Sequence, residues 1–249
     1  TNHTLDGPAF TLTGVRLTLD LVGASPLAAL AGLPEREALP PDSFCFFLFA
    51  GAASAAAPSQ ERVLELCADV DGPAHCGRRV EAEQLKSLPN LAVRDGDRLR
   101  VSLFPSGTRD FVDTVTSSSE KSYALWDYWS PINAVVLFVT SGEEISYALL
   151  QRVTGALTAL PAEPVLAPDR QHVAVADFCP DRCANEITVW RVMREGLRKD
   201  ASFKPPSAWS DVTVAWKGDT TLTIRFTPAG SDKPQTIDRP LADREWRRS

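Results

Sequence analysis

The feature that most constrains the fold is a rhythm of short apolar runs separated by explicit turns, which starts near residue 91. The runs recur about every ten residues, a spacing typical of sandwiches, barrels and propellers. Pairs such as Asp95-Gly96 and Ser141-Gly142 interrupt them, and such pairs favour tight hairpin turns. We therefore predict an antiparallel β-array over residues 89–249, with no helix longer than two turns. The predicted strands are Arg98–Phe104, Phe111–Thr116, Tyr123–Tyr128, Ala134–Thr140, Ile145–Val153, His172–Phe178, Glu186–Met193, Val212–Trp216, Thr221–Phe226 and Gln235–Ile237.

The first part of the chain, residues 1–88, mixes strand and helix signals. Phe10–Leu21 alternates apolar and polar residues, which predicts a half-buried strand, and Phe44–Phe49 is apolar on both faces, as a covered central strand would be. Arg62–Cys67 is interpreted as a strand, whereas Val80–Leu88 has helical spacing. The sequence thus predicts a small α+β region over residues 1–88, with a boundary near 88–91.

A repeat lies in the β-rich part. Trp129-Ser-Pro131 and Ala167-Pro-Asp-Arg170 each precede an apolar strand, and the two prolines are 37 residues apart, close to the ~40 residues of one propeller blade. The second unit continues into Ile187-Thr-Val-Trp190. Here the chain resembles the WD-like and TolB-like propeller repeats, in which an S-P-D-G turn leads into a blade strand and a later strand carries I-x-V-W.

The resemblance implies blade-like antiparallel sheets over residues 129–228. It covers one good unit and two poorer ones, Trp129–Gly155 and Trp209–Pro228. Arg170 stands where the repeat has glycine, and the units are too few to close a ring. The predicted fold class is therefore mostly β, with the small α+β region followed by an incomplete propeller-like array or a sandwich.

The five cysteines indicate the compartment. Cys67 and Cys76 bracket one turn-rich segment, and Cys179 and Cys183 bracket another, so we predict the bridges Cys67–Cys76 and Cys179–Cys183. Cys45 is left over in an apolar run and is interpreted as a buried thiol. Other pairings, a zinc site and free cytosolic thiols stay open as alternatives. Bridges persist in oxidising compartments, so the expected location is periplasmic or secreted. The chain opens at Thr1, as it would after removal of a signal peptide or after trimming of a longer chain.

The charge balance excludes some classes of partner. Lys and Arg number 26 against 32 Asp and Glu, a formal net charge of −6, whereas a general nucleic-acid or anionic-membrane binder has a basic surface. No apolar run approaches the ~20 residues of a membrane-spanning helix. We expect no nucleic acid, no membrane insertion, and another protein as the partner.

Motifs that carry chemistry are sparse. The chain has three histidines and no Gly-x-Ser-x-Gly elbow or phosphate-binding glycine loop. Asp69-Val-Asp-Gly72 begins like a calcium loop, but the required glutamate is missing at the right spacing. We therefore predict no catalytic residues, no metal and no cofactor. A hydrolase with dispersed catalytic residues stays open as an alternative.

A cluster of aromatic residues is the strongest candidate site. Tyr128, Trp126 and Trp129 lie just before the turn at Pro131, and they either fill the β core or anchor a partner, since Tyr and Trp are enriched at interface hot spots. Predicted binding residues are Trp126, Tyr128 and Trp129, with Asp181 and Arg182 of the Cys179–Cys183 turn. The expected function is a non-enzymatic, extracytoplasmic protein-binding module, such as an inhibitor or immunity-type protein that neutralises a secreted effector. Carbohydrate binding is a further alternative.

Overall fold

The structure, a computed structural model, describes residues 58–115 and 120–248. The predicted strands Phe10–Leu21 and Phe44–Phe49, and the predicted buried thiol of Cys45, lie outside the described residues. Two α-helices come first, and β-strands joined by short turns follow. None of the helices within the described residues is long and apolar enough to cross a membrane.

Helix α1 spans Gln60–Cys67 and helix α2 spans Pro73–Ser87. The predicted strand at Arg62–Cys67 is wrong, because this segment is helix α1. Val63, Leu66 and Cys67 have the i, i+3, i+4 spacing of one helix face, and the Ser59 side chain caps the helix by accepting a hydrogen bond from the Arg62 backbone N–H at 3.2 Å. The helical pattern at Val80–Leu88 is confirmed, and the helix extends back to a proline in its first turn.

The strands form four antiparallel sheets, which we number I to IV. Sheet I contains β1 (Ala92–Asp95), β2 (Arg98–Ser102) and β3 (Thr108–Val112); sheet II contains β4 (Thr114–Val115), β5 (Glu120–Trp129), β6 (Ala134–Ser141), β7 (Glu144–Gln151) and β8 (Leu157–Leu160). Sheet III contains β9 (Pro164–Leu166), β10 (His172–Asp177), β11 (Glu186–Met193), β12 (Gly196–Phe203) and the C-terminal β16 (Arg247–Arg248); sheet IV contains β13 (Trp209–Lys217), β14 (Thr221–Pro228) and β15 (Gln235–Pro240). A single 3-10 turn, Ser130–Ile132, is the only helical element after residue 91 among the described residues. The predicted fold class, mostly β and antiparallel, is confirmed.

The sheets stack face to face in chain order, with an apolar layer between each pair. One layer joins sheets I and II, a second joins sheets II and III, and a third joins sheets III and IV. Strand β6 of sheet II is buried on both faces from Ala134 to Thr140, as the sequence pattern of a doubly covered strand requires. The three predicted repeat units become the hairpins β6–β7, β10–β11 and β13–β14 of successive sheets.

Helix α2 is docked on sheet II by a buried carboxylate. Glu81 is 2% exposed and accepts hydrogen bonds from Arg94 Nε and Nη2, both at 2.7 Å, and from the Leu125 backbone N–H at 2.9 Å. Arg78 contacts both Glu81 and Asp113. These contacts pair the buried Glu81 carboxylate and fix the helix to strands of two sheets. The division of the chain at residue 88 stays a prediction.

Candidate functional site

The structure places the two predicted binding features at opposite ends of sheet II. At one end of this sheet Trp129 pairs with Ala134, and at the other end Lys121 pairs with Ser141. The Cys179–Cys183 turn lies at the Ser141 end, where Arg182 Nη1 reaches Glu144 Oε1 at 2.7 Å. We call these ends the corner end, which holds Tyr128–Asn133, and the disulfide end, which holds the Cys179–Cys183 turn.

Both predicted cysteine pairs are bonded. Cys67 and Cys76 join the end of α1 to the first turn of α2, with their Cα atoms 4.9 Å apart. Cys179 and Cys183 close the turn between β10 and β11, with a Cα separation of 5.3 Å. The two bridges indicate an oxidising, extracytoplasmic environment.

Polar contacts brace the Cys179–Cys183 turn in addition to its bridge. The carboxylate of Asp177, which is 8% exposed, accepts a hydrogen bond from the Ala184 backbone N–H at 3.0 Å. Asn185 Oδ1 accepts one from the Cys179 backbone N–H at 3.3 Å. The predicted site residues Asp181 and Arg182 are exposed on this turn. A turn held in this way loses little conformational freedom when it contacts a partner.

Three clefts adjoin one another around this turn. The largest, of about 800 Å³, contains Phe178 and Trp209, and a second, of about 580 Å³, lies on the other side of the turn. A third, of about 550 Å³, continues from the second between α1 and sheets II to IV. The second cleft is lined by four carboxylates and one basic side chain, which are Glu143, Glu144, Glu163, Asp177 and Arg182. The disulfide end therefore has an acidic face.

Trp126 belongs to the core and reaches the third cleft with its edge. It is 6% exposed, its ring stacks on Phe138 with centroids 5.1 Å apart, and Tyr147 meets it edge-on at 5.7 Å. Its indole Nε1–H donates to Glu163 Oε1 at 2.8 Å. Burial raises the pKa of Tyr147, and the nearby Glu163 carboxylate raises this pKa further.

Tyr128 and Trp129 are half-buried at the corner end. The Tyr128 hydroxyl donates to Asn133 Oδ1 at 3.1 Å and accepts from Arg152 Nη1 at 3.2 Å. Trp129 Nε1–H donates to Asp127 Oδ2 at 2.7 Å and the ring packs on the layer between sheets II and III. Burial raises the pKa of Asp127, although the hydrogen bonds from Tyr128 and Trp129 oppose that shift. Their role in binding stays a prediction.

The described histidines show no constellation for nucleophilic catalysis. His172 Nδ1 lies 3.0 Å from Asp169 Oδ2, and its ring contacts Trp216, but within the described residues neither side chain of this pair bonds to a serine or cysteine side chain. His75 is exposed on α2. Among the described residues, no group of three or more His, Cys, Asp or Glu side chains is placed to hold a metal ion.

Sequence reasoning missed Tyr147 and Glu163, which both line the second and the third cleft. In the sequence, Tyr147 occupies an ordinary apolar position of a predicted strand, so nothing marks it as a site residue. Glu163 stands in Pro161-Ala-Glu-Pro164, and this proline-framed turn is the only local sign that its side chain is held in place.

Comparison of the chain with protein-family models, with curated proteins and with solved structures finds no match. The geometry of the disulfide end is therefore the basis for a functional proposal.

Proposed function

We propose that this protein is a non-enzymatic binding module that holds a basic segment of another protein at its disulfide end, outside the cytoplasm. The observation that carries the proposal is the braced Cys179–Cys183 turn, which stands between two clefts and beside an excess of carboxylates. Pre-organised loops beside concave surfaces make favourable contact points because little entropy is lost on association. Periplasmic or secreted location and an inhibitor or immunity-type role are the finer form of this proposal.

The charge of the second cleft defines the partner. Glu143 and Glu163 make no ion pair among the described residues, while Arg182 is already paired with Glu144. Unpaired carboxylates at the rim of an interface attract partners of opposite charge and mainly raise the association rate. The partner segment is therefore expected to carry lysine or arginine, and its binding is expected to weaken with salt.

A peptide-display selection against the immobilised full chain tests this proposal. We expect enrichment of peptides with lysine or arginine, and about tenfold weaker binding of these peptides to Glu143→Lys. Asp219→Lys, in the exposed turn between β13 and β14 and outside the lining of the three clefts, makes the same change of charge and serves as the matched control. Enriched peptides that lack basic residues, or that bind Glu143→Lys as well as the wild type, would overturn the proposal. Loss of binding in Trp129→Ala alone would instead assign the site to the corner end.

Carbohydrate binding is the second candidate function, and the largest cleft favours it. Trp209 lines this cleft together with Asn185, Ser210 and Asp211, and an aromatic ring beside polar side chains suits a sugar. Titration with soluble oligosaccharides tests it: saturable quenching of fluorescence that is lost in Trp209→Phe supports carbohydrate binding, and its absence with every sugar class excludes this candidate.

A further inference from the structure

The third cleft, which we call the Tyr147 recess, is defined by Gln60, Val63, Trp126, Tyr147 and Glu163. Its volume of about 550 Å³ falls within the range of small-ligand sites in proteins. Helix α1 forms one wall, and the aromatic residues of sheet II form another. Valines of sheets III and IV complete the lining, to which Thr213 adds a hydroxyl.

A hydroxyl without a partner among the described residues faces this recess. Tyr147 is 7% exposed, yet its hydroxyl makes no hydrogen bond with any residue that the structure describes. In the described part of the chain, the side-chain polar atoms that are both fully enclosed and without a partner are Arg94 Nη1 and Arg239 Nε. The Tyr147 oxygen has no partner among the described residues but is not one of these enclosed atoms, so it is accessible from the recess. This oxygen is therefore open to the recess and free to bond with a ligand that enters it.

A carboxylate without a counter-ion among the described residues lines the same recess. Glu163 Oε1 accepts from Trp126 Nε1 at 2.8 Å, whereas Oε2 has no hydrogen-bond partner and the carboxylate has no ion pair within residues 58–115 and 120–248. Glu163 and Tyr147 thus offer oxygen acceptors in the recess, and no Lys or Arg among the described residues lines it. An ammonium group carries three N–H donors and one positive charge, which matches this set better than a neutral or anionic group does.

We propose that the Tyr147 recess binds a primary alkylammonium group, with Glu163 Oε2 and the Tyr147 oxygen as acceptors and the Trp126 edge as the apolar wall. The alkyl chain packs against the valines that line the recess. This inference rests on the proposed function in one respect, because a lysine of the partner segment is one source of the group. A small free amine is the other source.

Titration of the full chain with n-butylammonium tests the recess without a partner protein. The readout is the NMR resonance of the Trp126 indole N–H, which is assigned with Trp126→Phe. We expect a saturable shift with butylammonium and none with n-butanol. We expect about fivefold weaker binding in Tyr147→Phe, which keeps the ring and removes one hydrogen bond. Glu163→Gln should weaken binding at least about tenfold because it removes the charge, while the control Asp219→Asn changes binding by less than about twofold.

The same titration with a short lysine peptide separates the two sources. Much tighter binding of the peptide than of butylammonium identifies a partner lysine, and equal binding identifies a free amine; both outcomes uphold the ammonium site. Absence of a saturable shift with both probes, or unchanged binding in both variants, would overturn it. A butylammonium shift without enrichment of basic peptides would uphold the recess and overturn the proposed function, so the two can fail separately.

Discussion

At the scale of single residues, Arg170 holds a backbone conformation that costs an L-residue about 1–2 kcal/mol. Its φ is 63°, and it follows Asp169 where the propeller-type turn has glycine. The rest of the turn is intact, since the Arg170 backbone N–H donates to the Ala167 carbonyl at 2.9 Å. The sequence departs from the repeat here while the backbone keeps the shape that glycine favours.

Arg170→Gly is expected to raise the free energy of unfolding by about 0.5–1 kcal/mol, because glycine adopts this φ without steric cost. The gain is smaller than the full strain energy because glycine also increases the conformational entropy of the unfolded chain. Urea unfolding measures the change. Arg170→Ala keeps the Cβ atom and is the matched control, with no gain expected. Equal stability of the two variants would contradict the prediction.

Asp127 gives a prediction for pH. Burial raises its pKa above the ordinary value of 3.8, so the folded protein binds this proton more tightly than the unfolded chain does. The contribution of Asp127 to stability is therefore fully present below about pH 4 and is lost as the pH rises through the raised pKa. Asp127→Asn does not ionise, so the stability of the wild type relative to this variant is expected to fall as the pH rises from about 4 through the raised pKa of Asp127.

Urea unfolding of both proteins across this pH range checks the sign. The exposed Asp181→Asn is the control and should leave the pH dependence of the wild type unchanged. A relative stability of wild type and Asp127→Asn that is constant or rises with pH would refute the assignment to Asp127.

At the scale of elements, the docking of helix α2 on sheet II depends on Gly77. A Cβ atom added at this position would lie 2.7 Å from Phe138 Cδ1 and 3.3 Å from Ala124 Cβ. The helix therefore approaches the sheet closely because one residue has no side chain. Phe138 is held in place by Trp126 and Tyr147, so it has little room to move.

Gly77→Ala is expected to lower the free energy of unfolding by about 1–2 kcal/mol, since overpacking costs more than the gain in helix propensity of about 1 kcal/mol. Thermal or urea unfolding measures it. Gly72→Ala is the matched control, because a Cβ atom there meets nothing within 4 Å and the φ of 178° is extended backbone. A Gly77→Ala protein that is more stable than the wild type would contradict the prediction. It would show that the gain in helix propensity exceeds the cost of overpacking and that Phe138 can move aside.

At the scale of the whole molecule, the C-terminal segment closes the third apolar layer. Trp246 is 4% exposed, its ring meets Phe203 edge-on with centroids 6.0 Å apart, and its Nε1–H donates to the Pro240 carbonyl at 2.9 Å. Strand β16 follows it and pairs with β12. The end of the chain is thus part of the contact between sheets III and IV.

Trp246→Ala is expected to cost about 3–5 kcal/mol, as truncation of a buried aromatic side chain does. Because sheets II and III each share layers with both neighbours, the loss should lower the midpoint of one cooperative transition seen by fluorescence and circular dichroism alike. The exposed Arg244→Ala is the control, with a change within about 0.5 kcal/mol. Separate transitions for the two probes would show that the layers unfold independently.

The sequence was sufficient to predict the features that depend on neighbouring residues, namely strand bounds and turns. Strand Glu186–Met193 has the predicted bounds, and the turn glycines Gly96 and Gly142 have φ values of 57° and 60°, because side-chain alternation and glycine's access to positive φ act over a few neighbouring residues. Strand β12 was missed, since its sequence GLRKDASF has little apolar alternation and pairs through its backbone. The helix α1 was interpreted as a strand because a short apolar run fits both periods.

Only the tertiary structure decided which distant residues meet. Tyr147 and Glu163 are separated by the whole of β8, and Glu81 finds Arg94 and Leu125 only after α2 docks on sheet II. From the sequence, the aromatic corner and the disulfide turn could belong to one binding site. In the structure the strand directions place them at opposite ends of sheet II. Turns and bridges follow from short-range chain geometry, whereas clefts follow from the stacking of sheets, which depends on apolar burial summed over the whole chain.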